Sequence, residues 1–329
     1  MKNSYKMIFA GFSATALLIS GCDRLPNSPV QGGNPAPSVE PSLAPSATPS
    51  AAPTAVPSAE PSSAPSSSPS VAPSPSPSAS PVPASFHRVH ALTSNNRLVS
   101  FNSDAPTVLV SSTAVTGLSS DENLVGIDFR SSNKMLYALS NQSKIYTINL
   151  TTGALSQVGT AAFTPPINGS HFGIDFNPTV DRIRLHGDKG QDLRLHPDTG
   201  AVAATDATLA FTEGDANFGA TPAVAGTAYT NPVANATSTQ LFAIDAERDV
   251  LVKLVNPNDG KLSTVGSLNA STSNEVGFDI TADGMAYASL KDGAGSSFYK
   301  VNLSDGRATR VSAVGAGDLS LIGIAVEMN

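Results

Sequence analysis

Three aspartates hold the same place in a recurring phrase: Asp128, Asp175 and Asp279 each stand two residues after a glycine that leads an apolar strand. Carboxylates brought together by a repeat can bind a hard cation such as Ca²⁺, or split their pKa values for acid–base work. The repetition has a plainer reading too, in which each side chain accepts backbone N–H groups at a strand end and fixes geometry. The phrase recurs with Ala228 and Ala325 in the aspartate's place, which argues against a symmetric ring of ions.

A second candidate is the charged segment 174–200. Arg182 and Arg184 are two apart, so on a strand they share a face and can grip a carboxylate or phosphate, with Arg194 a further candidate. The alternative is a solvated strand pair laced with Asp–Arg contacts. His186 and His196 would lie on adjacent strands if a hairpin joins them, but a zinc site needs a third ligand, for which His171 is the guess. Several other motifs are absent. The chain has no Gly-x-Gly-x-x-Gly after a strand, no Walker lysine, no Gly-x-Ser-x-Gly and no His-Glu-x-x-His. Asp245–Asp249 and Asn256–Gly260 lack the twelve-residue calcium-loop pattern and read as turns.

The elements that must position these residues come from an internal repeat. Gly126-Ile-Asp128-Phe, Gly173-Ile-Asp175-Phe, Gly226-Thr-Ala228-Tyr, Gly277-Phe-Asp279-Ile and Gly323-Ile-Ala325-Val are spaced by 47, 53, 51 and 46 residues. Further along each unit comes a turn: Asn149 to Gly153, His196 to Gly200, Asn256 to Gly260 and Asn302 to Gly306, with Asn102 to Pro106 a degenerate copy. Asn, Asp, Ser and Pro set a type I turn, and the closing glycine supplies the left-handed position of a bulged hairpin. Between the two signatures run alternating strands such as Leu136–Leu139, Ile145–Ile148 and Leu155–Val158.

Four strands in a unit of about 45–50 residues is the pattern of a propeller blade. The chain enters at the second strand of a blade (89–92) and ends on the first strand of one (322–326). A circular arrangement resolves this, because the C-terminal strand then completes the first blade and removes the open edges. The fold class expected is all-β, a five-bladed β-propeller of about four antiparallel strands per blade, with a Gly/Ala/Asp-rich loop inserted at 206–225. Residues 173–184, 191–194 and 197–200, with 136–139 and 145–153, resemble a bacterial domain-of-unknown-function family, number 4394. The resemblance covers nearly all of 89–326. It implies a propeller-like exported domain and carries no activity.

The N-terminus sets the expected address. Lys2 and Lys6 precede an apolar run from Met7 to about Ile19, too short to span a bilayer comfortably. It ends in Ile19-Ser-Gly-Cys22, which resembles the lipobox of bacterial lipoproteins, whose cysteine is acylated and becomes the new N-terminus. Cys22 is the one cysteine of the chain, so no internal disulfide is available and lipidation accounts for the odd thiol. The organisation expected is a signal peptide over 1–21, a lipidated N-terminus over 22–25, a Pro/Ser/Ala-rich disordered linker over 26–85 and the propeller over 86–329.

Prolines recur every four residues from 37 to 81, with Glu40 and Glu60 the charged residues of the linker. Such a tract cannot bury a core and favours extended polyproline II, with a reach of roughly 180 Å. Residues 86–329 carry 16 basic against 23 acidic side chains, which argues against nucleic acid and anionic head groups as partners. With no tryptophan and few aromatics, the domain lacks the obvious stacking platforms common in sugar-binding clefts. The reading that follows is a monomeric binding or scaffold module in the cell envelope, held to a membrane by its lipid. Its ligand, whether small molecule, polymer or protein, is unspecified. The alternative is a propeller hydrolase or lactonase using channel carboxylates, with Ca²⁺ the one cofactor considered.

Overall fold

The computed structural model describes residues 86–328. The Cys22 lipobox and the tract over 26–85 lie outside the described residues. Blade 1 holds β1 (Arg88–Thr93), β2 (Arg97–Asn102) and β3 (Ala105–Ala114). Blade 2 holds β4 (Leu124–Phe129), β5 (Leu136–Ser140), β6 (Ile145–Ile148) and β7 (Leu155–Val158). Blade 3 holds β8 (Phe172–Asn177), β9 (Arg182–Gly187), β10 (Asp192–Leu195) and β11 (Val202–Thr205). Before blade 4 comes β12 (Ala210–Phe211); the blade itself is β13 (Val224–Tyr229), β14 (Leu241–Asp245), β15 (Val250–Asn256) and β16 (Lys261–Ser267). Blade 5 is β17 (Val276–Ile280), β18 (Ala286–Lys291), β19 (Ser296–Val301) and β20 (Ala308–Ala313), after which β21 (Leu321–Val326) returns to blade 1.

The sheets run β21-β1-β2-β3, β4 to β7, β8 to β11, β13 to β16 and β17 to β20, a five-bladed propeller closed by its C-terminal strand. The inserted segment 206–225 is not wholly loop: β12 pairs in parallel with β16 and covers the outer edge of blade 4, burying Phe211. Inner strands are buried along their length, as in β13, whereas outer strands such as β11 alternate between half-buried and exposed. Apolar runs thus sit on the axis and period-2 strands at the rim.

The inner strands β21, β4, β8, β13 and β17 pack side by side around the axis. Their signature glycines make that packing possible. A Cβ on Gly173 would lie 2.7 Å from the Thr227 amide nitrogen, and one on Gly277 would lie 2.6 Å from that of Ile324. The outer turns are built as their residues require. Gly153 has φ of 71° and donates to the Asn149 carbonyl at 2.8 Å, while the Asn149 side chain accepts from the amides of Thr151 and Thr152.

Most of the core lies between blades. Apolar clusters fill the interfaces of blades 1 and 2, 2 and 3, 4 and 5, and 5 and 1. The remaining cluster, around Leu209, Val224 and Leu254, draws only on blade 4 and the segment leading into it. The junction of blades 3 and 4 is instead crossed by polar side chains, with Arg184 bonded to Tyr229 and His186 to Thr227.

Candidate functional site

Because the Gly-x-Asp strands are the inner ones, β4, β8 and β17 aim their aspartates into the channel. One carboxylate oxygen from each of Asp128, Asp175 and Asp279 lies within 4.8 Å of the others, and all three residues are buried. Each also reaches the next blade. Asp128 accepts from the Phe176 amide at 2.8 Å and Asp279 from the Val326 amide at 2.6 Å, while Asp175 is bonded to the Tyr229 amide. In every case the donor is the residue just after the signature's third position in the following blade. Ala228 and Ala325 break this pattern at the other two junctions, where β13 meets β17 and β21 meets β4.

Three carboxylates in so small a space cannot all ionise without a counter-charge. Burial, and then the charge of Asp279, hold the Asp128 carboxyl well above the usual range; burial, and then Asp128 and Asp279, do the same for Asp175. Burial pushes Asp279 up to about 7, against the pull of the Val326 and Ile280 amides. On the glycine side the channel narrows to a void of about 10 Å³. On the other side Asp279 borders a cavity of about 200 Å³ shared with His87, Asp283 and Glu327. Two carbonyl or carboxylate oxygens on opposite sides of a Ca²⁺ lie about 5 Å apart, so the spacing suits one such ion. It does not suit a carboxylate pair flanking a substrate, which needs the separation of about 5–9 Å and open space between the groups.

The charged blade folds into a network rather than a shared grip. Arg184 is 2% exposed, and its guanidinium donates to Asp192 at 2.7 Å, Asp206 at 2.5 Å, Asn258 at 2.9 Å and the Tyr229 hydroxyl at 3.2 Å. Arg194 donates twice to Asp206, each at 2.8 Å. Arg182 shares a face with Arg184 but sits at the strand's end, where it donates to the Asp181 carbonyl at 2.9 Å. The three arginines therefore do not converge on one ligand.

The histidines are not brought together either. β9 and β10 do form a hairpin, but its register sets His186 opposite Asp192 and Leu195 opposite Ile183, so His196 falls beyond the far end. His171 pairs with Asp188. Among the described residues the aspartate cluster is the one set of three ligand-type side chains close enough for an ion.

Two features escaped the sequence reading. Arg130, directly after β4, is 8% exposed and joins blade 2 to blade 3 through Asp181 at 2.6 Å and Asp198 at 2.5 Å. A lone arginine after an apolar strand was the available signal, but its partners are 51 and 68 residues away. The second is a groove of about 570 Å³ between blades 3 and 4, lined by Asn177, Arg184, Tyr229, Gln240, Asn256 and Asn258 among others. No local motif marks it, since five separate segments meet there.

A model of the family described as Domain of unknown function (DUF4394) matches residues 97–325. No curated protein matches the chain. Among solved structures it is similar to a structural-genomics protein of unknown function from Bacteroides thetaiotaomicron VPI-5482, at 16% identity and TM-score 0.42, over 70% of this chain and 59% of that one. It is similar to a chain of a nidogen/laminin complex at 12% identity and TM-score 0.44, over 74% of this chain and 99% of that one. A candidate 6-phosphogluconolactonase from Bacteroides uniformis ATCC 8492 follows at 17% identity and TM-score 0.38, over 73% and 71%. The chain spans about three fifths of the first of these structures. None of the three bears on what the site does.

Proposed function

We propose a function from the site itself, since the chain belongs to the family described as Domain of unknown function (DUF4394) and that description names no activity. The propeller is a non-catalytic binding module of the bacterial cell envelope, carried on the lipid of Cys22 and the Pro/Ser/Ala tract. Its channel carboxylates lock the inner ring and hold one cation such as Ca²⁺. The observation that carries this reading is the bonding of all three buried aspartates to the next blade's backbone. A carboxylate whose oxygens already accept backbone N–H groups is poorly placed to take a proton from a substrate.

The linkage has a defined sign. Asp279 rises from its ordinary 3.8 to about 7 on folding, so the folded state holds its proton more tightly. The stability this adds is complete below about pH 4 and is lost as pH rises towards 7. Glu122 has the opposite sign. Burial favours its neutral form, but hydrogen bonds from Ser119, Ser140, Tyr146 and Lys144 prevail and hold it at about 2. Its contribution is therefore intact above about pH 4.5. In chelator, the Tm of the full chain is expected to fall on the order of 5 °C between about pH 4.5 and 7.5. Ca²⁺ should restore it at the upper pH, and Asp279→Asn should flatten both responses. A neutral-pH Tm indifferent to Ca²⁺ and chelator would remove the cation from the proposal.

One observation favours a second reading. The Asp279 carboxyl borders the open cavity, and His87 and Asp283 stand 3.3 Å apart on its wall. A hydrolase acting there would turn over lactones or glycosides and lose that turnover in Asp279→Asn. Inactivity of the Ca²⁺-loaded protein across such a panel is the expected result.

A further inference from the structure

We infer that the groove between blades 3 and 4 binds a neutral polyhydroxylated ligand, a saccharide of one or two rings. The inference rests on the reading of the domain as a binding module and supplies the site and ligand class which that reading lacks. The groove's volume of about 570 Å³ falls in the ordinary range for small-molecule sites, about 300–1,000 Å³.

The chemistry of its floor follows from counting donors. A guanidinium has five N–H groups. Arg184 spends one on the Tyr229 hydroxyl, two on Asp192 and Asp206, and one on the Asn258 side-chain oxygen. The fifth, on Nη2, has no partner among the described residues although the side chain is almost wholly buried. The Tyr229 oxygen accepts from Arg184, which leaves its own O–H to donate elsewhere. Asn258 has committed its oxygen, so its NH₂ remains a donor. Asn177 accepts from the Thr179 amide and hydroxyl and is bonded to Tyr229, which leaves it one N–H to offer. The exposed Gln240 amide completes the rim. The floor thus offers hydrogens and asks its ligand for lone pairs.

Charge decides which lone pairs. Arg184 and Arg194 are matched by Asp192 and Asp206, so the buried network is neutral as a whole. Lys253 lines the groove, but its ammonium lies over the Phe242 ring at 6.0 Å, and Phe242 packs into the interface of blades 4 and 5. Asp259 stands on the rim and repels anions. An oxyanion would gain no net attraction here, while hydroxyl and ring oxygens meet donors already fixed in place. With Tyr229 buried and no ring exposed for stacking, affinity rests on hydrogen bonds, and Kd is on the order of millimolar.

The test is saturation-transfer NMR on the full-length chain with cellobiose, maltose and chitobiose as neutral probes, and galacturonate and inorganic phosphate as anionic ones. Signals from at least one neutral disaccharide, weakened tenfold or more in affinity by the paired exposed-site substitutions Asn258→Ala and Gln240→Ala, are expected. Binding unchanged in that variant, no signal from any neutral probe, or signals from the anions alone would overturn the assignment. A melting transition well above the assay temperature confirms that the variant is folded, and the Gln240→Ala single variant, which leaves the bond from Arg184 to Asn258 in place, is expected to weaken binding in the same direction. Groove binding accompanied by hydrolysis of the probe would instead overturn the non-catalytic reading and leave the groove standing.

Discussion

Gly277→Ala is expected to cost about 3 kcal/mol or more, enough to deplete the folded protein, while Gly323→Ala is expected to cost under about 1 kcal/mol. The two glycines hold the same place in the repeat, so no argument from the signature alone separates them. The channel does. A Cβ on Gly277 would lie 2.6 Å from the Ile324 nitrogen and 2.8 Å from the Gly323 carbonyl carbon, both backbone atoms of a neighbouring inner strand that cannot swing aside. On Gly323 the nearest atom would be 3.5 Å away, an ordinary contact. Neither residue needs a positive φ, so sterics alone is tested. Urea melts of the two variants read the difference directly. Equal losses would mean that the inner ring is less tightly drawn than these distances require.

Arg184→Met should be as damaging for an electrostatic reason. The substitution preserves much of the side chain's volume but strips Asp192 of its arginine and leaves it only the His186 ring at 3.5 Å, and Asp192 is fully buried with its Oδ2 already lacking a hydrogen bond. Breaking a buried pair from one side costs about 3–5 kcal/mol, chiefly the penalty of the charge left behind. Asp206 suffers less because Arg194 still holds both its oxygens. The double variant Arg184→Met/Asp192→Asn should therefore recover a large part of the loss, and a double-mutant cycle measures how much. Additive losses would place the cost in packing against Tyr229 instead.

The architecture was legible because each blade needs the same backbone solutions at the same intervals. An inner strand must be glycine-bearing where neighbours crowd, and a hairpin must end in a left-handed residue. Both requirements leave a letter in the sequence, the first every 46 to 53 residues and the second every 46 to 60. The aspartates were legible for the same reason, and the meeting of their oxygens follows from inner-strand placement. What periodicity cannot carry is pairing between unlike positions. Arg184 draws on Asn258, 74 residues away, and Arg130 on Asp198, 68 residues away; the two partners hold the same third place in the outer turn, but the arginines that reach them hold different places in their blades. Arg182 and Arg184 share a strand face as their spacing requires, yet one ends in a buried network and the other on a loop carbonyl. Spacing fixes direction; depth in the sheet fixes what a side chain meets.

The seam in blade 1 has a mechanical consequence. Any pull transmitted from residues before Arg88 enters the domain along β1, which lies between β2 and β21 rather than at a margin. Five registered residue pairs flank it on one side and five on the other. Hydrogen bonds in these ladders run perpendicular to the strand, so tension along β1 loads both ladders in shear, and their bonds must yield together. A first strand placed outermost would peel one bond at a time. Closure by the last strand thus sets any such pull against two ladders at once.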